Sequence, residues 1–397
     1  MEGREGSRAA ALANGAGRLR YVDALRGLAA LLVVWLHASN GFRSLSSQGH
    51  WLDTIASSID VGRIGVVVFF LISGFVIPFS IQRTSAAPIG TFVIRRILRI
   101  YPAYWLSVPL AAYAFYWSAG AGFSAGELLA NLTLMQGVFG ARHAEGIYWT
   151  LVVELAFYGL CIALLLTRSL FDARRVALLA TVLALAHVFA MFTLWLGRPI
   201  VSVPVAFWPL NLSVMLWGAL YRLDTDGECD RFSALLLRAL GVLFIVGLPI
   251  GASLAVHARA IYATAYAIGF VVFLVGMRYV RVETRATDWL GRISYSMYLF
   301  HPLVLQPLYL GLIREPADSP WRAQHAGIWL AVTIALTLVV ASLVYKYVEA
   351  PAIRLGHRLA NAWERRALRT RVVPATPTAS IVPAKPAAPV VAEAAAG

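Results

Sequence analysis

Apolar residues run through this chain in ten blocks, each about as long as the roughly 20 residues that a helix needs to cross the hydrocarbon core of a bilayer. The blocks fall at 22–42, 61–82, 99–119, 146–167, 176–197, 200–221, 235–256, 258–278, 287–313 and 326–348. They predict an all-α fold, a polytopic membrane helix bundle of about ten transmembrane helices. A shorter block at 127–139 carries Glu127 and Asn131 and predicts an interfacial or re-entrant helix. Tight turns near 197–200 and 256–258 join neighbouring spans. The pattern divides the chain into an N-terminal segment, 1–20, a membrane domain, 21–352, and a C-terminal part, 353–397. That last part begins as a basic helix-like stretch to Arg371 and ends in a Pro- and Ala-rich tail. Such a tail buries too little apolar surface to fold and is expected to be disordered.

Composition agrees with this pattern. Of 397 residues, 59% are hydrophobic and 14% charged, where soluble domains carry roughly 25% charged residues. A soluble globular enzyme and a disordered chain are thereby excluded. The net charge of +14 lies in loops, not in a basic patch free of apolar segments, so no nucleic-acid partner is expected. Assigning loops to alternate sides puts 25 Lys and Arg residues on the side of the N-terminus and six on the other, with Arg26, Arg63 and Lys346 inside spans. By the positive-inside rule both termini are cytoplasmic, in a multi-pass protein of the cytoplasmic membrane. Cys161 and Cys229 have no partners at ligand spacing, so neither a disulfide framework nor a metal site is expected. The arginine-rich segment before the first block lacks a cleavage signal, and that block is expected to stay as a helix.

Ionisable groups inside spans are costly and point to function or to a specific partner. The first span holds Asp23, Arg26 and His37. Arg26 and His37 are eleven residues apart, within about 20° of whole helical turns and about 16 Å along the axis, so they share a face. Asp23 is spaced to pair with Arg26. The segment 92–102 sets Arg95, Arg96 and Arg99 on one side of an amphipathic cytoplasmic helix, ended or kinked before Pro102, suited to phosphate oxygens or lipid headgroups. Thr150, Glu154 and Tyr158 form a polar stripe on an apolar helix. Glu154 there either pairs with an arginine such as Arg63 or faces a cavity open to the exterior, the reading preferred here. Ser294, Tyr298 and His301 form another stripe, in which the hydroxyls read as interhelical packing. Glu349 ends the final span and is placed to meet one of Arg95, Arg96 or Arg99. Ser73 and Gly74 read as a small-residue packing site, and His187 receives no role.

Together these residues resemble the acyltransferase type 3 family of membrane O-acyltransferases, in its stand-alone form without an esterase-like domain. The resemblance covers about residues 20–352. It rests on Asp23, Arg26, Gly27 and His37, on FFLISGF (69–75) with Ser73, on RRILRIYP (95–102) and on WTLVVELAFY (149–158). It continues in ISYSMYLFHP (293–302) and closes at Glu349 and Pro351. Thr150 stands where the family more often has Ser. The resemblance implies transfer of an acyl group, usually acetyl, from cytoplasmic acyl-CoA to a hydroxyl of a cell-surface or exported glycan, with Arg26 and His37 needed for activity.

On this reading acyl-CoA, acetyl-CoA first, is a donor substrate and no cofactor is permanently bound. Arg95, Arg96 and Arg99 would hold the donor's phosphates. Trp149 and Glu154 would bind the acceptor, while Asp23, Ser73, Tyr158, Ser294, Tyr298, His301 and Glu349 would support the site. Neutral His37 would act as general base, with Tyr298 and Ser294 as candidate oxyanion donors. A variant in which His37 carries the acyl group stays open. The rival readings are a transporter or flippase of a polar or lipid-linked glycan, using the same buried groups as a proton relay, and a membrane scaffold without chemistry.

Overall fold

The computed structural model describes residues 19–371, apart from 44, 46–53, 56–57, 83 and 256. The N-terminal segment before residue 19 and the Pro- and Ala-rich tail after residue 371, for which disorder is expected, lie outside the described residues, as does the turn at 256. The helices are α1 (Arg20–Phe42), α2 (Val61–Val76), α3 (Pro88–Phe115), α4 (Ala125–Leu132), α5 (Trp149–Leu166), α6 (Ala173–Trp195) and α7 (Val203–Thr225). They continue as α8 (Arg231–Val242), α9 (Leu248–Ala255), α10 (His257–Arg278), α11 (Arg285–Ile313), α12 (Ala326–Val344) and α13 (Ala350–Arg371). Side-chain caps start several of them: Asp60 accepts from the Arg63 amide at 2.8 Å, and Asp172 and Asp230 act likewise at α6 and α8. These bonds satisfy amide donors that a helix start leaves open.

Among the described residues, nine helices are long and apolar enough to cross a membrane, and the protein is an all-α polytopic bundle. They correspond to nine of the ten predicted blocks. The block at 99–119 lies in α3 as far as Phe115, in a helix of 28 residues whose Arg99, Tyr and Trp residues and prolines lower its apolar character. A break before Pro102 is expected from sequence, but α3 runs on through Pro102 and Pro109. Tyr295 of α11 donates its hydroxyl to the Ile100 carbonyl at 2.8 Å, which ties α11 to α3 beside this proline. The block at 127–139 is helical only to Leu132.

The centre of the bundle is α1, which packs against α11, α2, α12 and α10, while α2 in turn meets α7 and α10. Two crossings in this centre are built on reciprocal glycines. A side chain on Gly74 would strike the Met215 backbone of α7, and one on Gly218 the Leu71 carbonyl of α2. In the same way Gly27 meets Leu290 and Gly291 meets Asp23, which brings α1 against α11. Without a hydrophobic drive between helices in lipid, this close approach supplies the packing contacts that hold spans together.

Segments richest in arginine meet at one end of the bundle. There Arg20 pairs with Asp288 at 3.6 Å, Arg174 with Asp230 at 3.3 Å, and Arg281 lies over the Tyr21 ring. At the opposite end Phe42 stacks on Trp329, and Arg322 donates to the Leu45 carbonyl at 3.3 Å. Helix α12 continues through a wide π turn, Tyr345–Glu349, into α13 without a break, so the expected boundary at 352/353 falls within a helix. The turn leaves Lys346 and Tyr347 exposed while burying Glu349. Helix α13 lies along α3, with Trp363 against Gly90, and Glu364 accepting from the Ser85 hydroxyl and the Ala86 amide.

If the α2/α7 crossing depends on backbone contact, Gly74→Ala forces the two helices apart. Overpacking of this kind costs about 1–3 kcal/mol. The purified variant is expected to unfold several degrees below the parent in a thermal melt, and an unchanged melt would contradict the crossing.

Candidate active site

His37 and Arg26 face two neighbouring cavities inside the bundle. The larger, of about 390 Å3, is lined by His37, Asn40, Asp60, Arg63, Glu145, Trp149 and Gln306 together with apolar residues of α1, α2 and α11. The smaller, of about 60 Å3, is lined by Arg26, Ser73, Thr150, Glu154, Tyr295 and aromatic residues of α2. Val66 and Tyr298 line both. The arginine thus opens to one side of these two residues and the histidine to the other, as their shared face on α1 leads one to expect.

Behind His37 stands His301. The His37 Nδ1 lies 2.7 Å from the His301 Nε2, the two rings meet edge to edge with their planes 14° apart and centroids 5.0 Å apart, and the His301 Nδ1 reaches the Tyr298 carbonyl at 2.6 Å. The Tyr298 hydroxyl donates to the Ile147 carbonyl at 3.0 Å and meets the Thr150 hydroxyl at 2.7 Å. Its single proton is engaged in these bonds, which leaves Tyr298 poorly placed as an oxyanion donor. Ser294 bonds back to the Gly291 carbonyl of its own helix at 2.8 Å and lines neither cavity.

Around Arg26 the buried charges gather. Arg26 is within electrostatic reach of Asp23, Glu154, Glu349 and Arg99, and Arg99 within reach of Glu349, Glu154 and Asp23. Tyr158 donates to Glu154 at 2.6 Å and Ser296 to Glu349 at 2.7 Å. Glu154 therefore joins Arg26 and Arg99, while Arg63 pairs with Asp60 at 3.1 Å and lies over the Tyr262 ring. The three arginines of α3 diverge. Arg99 joins the Arg26 cluster, Arg96 bonds the Ser80 hydroxyl at 2.6 Å and covers the Tyr158 ring, and Arg95 reaches Asn361 of α13 at 3.3 Å. The Arg95 Nε is buried without a hydrogen-bond partner.

A family model described as an acyltransferase domain matches residues 19–346. The chain belongs to this acyltransferase family. The nodulation protein 10 of Rhizobium leguminosarum bv. viciae is 27% identical over 371 residues, 85% of this chain and 94% of that protein. The acyltransferase MdmB of Streptomyces mycarofaciens is 29% identical over 397 residues, 90% of this chain and 96% of that protein. No solved structure matches significantly. An acyltransferase makes and breaks covalent bonds, so the transporter and scaffold readings do not stand.

Sequence reasoning missed several residues of the acyltransferase's larger cavity: Asn40, Asp60, Glu145 and Gln306. Asp60 and Glu145 sit at a helix start and in a loop, where no periodicity marks a face, while Asn40 and Gln306 lie within α1 and α11 as uncharged residues that the search for ionisable groups passed over. Asp60 alone carried a signal, since its spacing from Arg63 is that of an N-cap and an i,i+3 pair. Glu145 is held by the loop that precedes α5. Within that loop Asn131 donates to the Glu127 and Arg142 carbonyls and accepts from the Ala144 amide, and Arg142 clamps Glu127 at 2.6 Å. Tyr104 of α3 fastens the same loop through the Asn131 carbonyl at 2.6 Å. Burial pushes the Glu145 carboxyl up to about 7, against bonds from the Gly146 and Ile147 amides that favour its charged form.

A carboxyl whose folded value lies above its unfolded one binds a proton more tightly in the folded protein, so its ionisation opposes folding. The acyltransferase should therefore lose thermal stability as pH rises from about 4.5 through about 7. Glu145→Gln is expected to flatten that part of the stability curve. An identical slope in thermal melts of the variant and the parent would contradict this.

Proposed function

We propose that this acyltransferase takes an acyl group, acetyl in the first place, from cytoplasmic acyl-CoA at the arginine-rich end of the bundle and delivers it to a hydroxyl of a cell-surface or exported glycan at the other end. The protein would lie in the cytoplasmic membrane with both termini in the cytoplasm, a placement that the charge asymmetry supports. The observation that carries the reading is that two cavities, one facing Arg26 and the other His37, lie side by side with only Val66 and Tyr298 lining both. The rise of about 16 Å between Arg26 and His37 along α1 is comparable to an extended pantetheine arm. On this reading Arg26 and Arg99 take the donor's inner end. Arg95, with its Nε free inside the protein, and Arg96 serve the phosphates.

The larger cavity suits a sugar. Asn40, Asp60, Glu145 and Gln306 supply donors and acceptors for ring hydroxyls, and Trp149 at its edge offers a face for stacking on a pyranose. His37 then acts as general base. It takes the proton of the acceptor hydroxyl as that oxygen attacks the thioester carbonyl carbon. When the carbon–sulfur bond breaks, His37 returns the proton to the departing thiolate, so the products are an ester and free coenzyme A. Glu154 and Glu349, held by the Tyr158 and Ser296 hydroxyls, balance the charges of Arg26 and Arg99 beside the path, and Ser73 lines it.

Purified protein with labelled acetyl-CoA and a crude glycan acceptor tests the reading. General base catalysis is worth roughly 10²–10⁴ in rate, so His37→Ala should lose about 100-fold or more of label transfer. Arg26→Ala should raise the KM for acetyl-CoA. Undiminished transfer by His37→Ala would overturn the proposal.

A further inference from the structure

We infer that His301 is a positioning residue that fixes which nitrogen of His37 is the base, and that Pro302 is what fixes His301. The inference rests on the reading of His37 as general base and adds to it the identity of the basic atom. It starts from the backbone of α11. In a helix the Tyr298 carbonyl would accept from the amide of residue 302, but Pro302 has no N–H to give. The His301 Nδ1 fills that vacancy at 2.6 Å.

A carbonyl oxygen only accepts, so the His301 Nδ1 carries the proton, and in the neutral ring the Nε2 is left as an acceptor. That Nε2 lies 2.7 Å from the His37 Nδ1. Two facing lone pairs would repel, so the His37 Nδ1 is the donor. Its proton is thereby assigned by the bonding network, and the His37 Nε2 keeps its lone pair.

The order of bonds is a relay with a fixed direction: the Tyr298 carbonyl accepts from His301, and His301 accepts from His37. His301 is 1% exposed and its ring meets that of His37 edge to edge in nearly one plane, so neither ring can turn without opening one of these bonds. During transfer the acceptor's hydroxyl proton moves to the His37 Nε2. The resulting imidazolium strengthens its Nδ1–H bond to His301, because charge-assisted bonds are the stronger kind. When the proton passes to the departing thiolate, the original arrangement returns. The device works as the carboxylate does in a serine–histidine–aspartate triad, where loss of the correct tautomer costs about 10⁴ in kcat. Here a neutral ring takes that place, so no further charge has to be held in the membrane interior.

The test is 15N NMR of histidine-labelled protein, with the His37 signals assigned from their absence in His37→Ala. The parent protein is expected to show His37 protonated at Nδ1 and bare at Nε2. A bare Nδ1 in the parent overturns the inference whatever the activity, whereas full activity of His37→Ala overturns the general-base reading and leaves the tautomer result standing. His301→Gln retains an amide N–H for the Tyr298 carbonyl and an amide oxygen for His37, so it should keep kcat within about tenfold and preserve the Nδ1–H signal. His301→Leu should lose about 10²–10⁴ in kcat with little change in the KM for acetyl-CoA, and its His37 should no longer favour the Nδ1–H form. Equal losses in the two variants would also overturn the inference. Should His301→Leu fail to fold, Pro302→Ala takes its place. It restores an N–H to the Tyr298 carbonyl, and the His37 signal should shift towards a mixture of tautomers; an unchanged signal counts against the assignment.

Discussion

A guanidinium in hydrocarbon has to be paired, and the interior of this bundle is arranged around that requirement at Arg26 and Arg99. Asp23 comes from the same helix as Arg26, Glu154 from α5 and Glu349 from the π turn after α12, so four helices converge on one charge cluster. Breaking such a buried set by removing one member leaves an uncompensated charge and costs far more than the set contributes to stability. The Tyr158 and Ser296 hydroxyls donate to the carboxylates and supply the bonds that water would give elsewhere. The π turn follows from the same demand, since it turns Glu349 inward while its neighbours Lys346 and Tyr347 face outward.

From that cluster the rest of the site takes its position. Glycine contacts bring α1 against α11 at Gly27 and Gly291, close to Asp23 and Arg26. The same two helices present His37 and His301 to each other nearer the opposite end. Tyr298 bonds the start of α5 through Ile147 and Thr150, and with Val66 it forms the partition between the two cavities. Packing therefore holds the arginine and the histidine in line along one helix, on opposite sides of a narrow boundary.

The larger cavity owes part of its polar lining to a loop that carries no repeating pattern. Glu145 and Trp149 are held by a loop that is tied back on itself through Asn131, Arg142 and Glu127, and fastened to α3 through Tyr104. Glu127 and Asn131 marked this region as polar in the sequence. Nothing there could tell that their bonds fix the rim of a cavity, because the partners lie up to 27 residues away.

The spacing of apolar blocks determined the fold class, because each helix that crosses lipid must satisfy its own backbone and show an apolar surface of fixed length. The eleven-residue step also determined that Arg26 and His37 share a face, since helical geometry is local. What the sequence left open were relations between helices. The arginines of α3 lie within five residues, yet Arg95, Arg96 and Arg99 go to three different partners. Glu154 could have met Arg63, but Arg63 is taken by Asp60, and Ser294 turned back to its own helix while Tyr298 and His301 also reach across to other helices. Only the tertiary structure decided these, because which charge meets which, and which ring nitrogen holds a proton, depend on side chains hundreds of residues apart packed within a few ångströms.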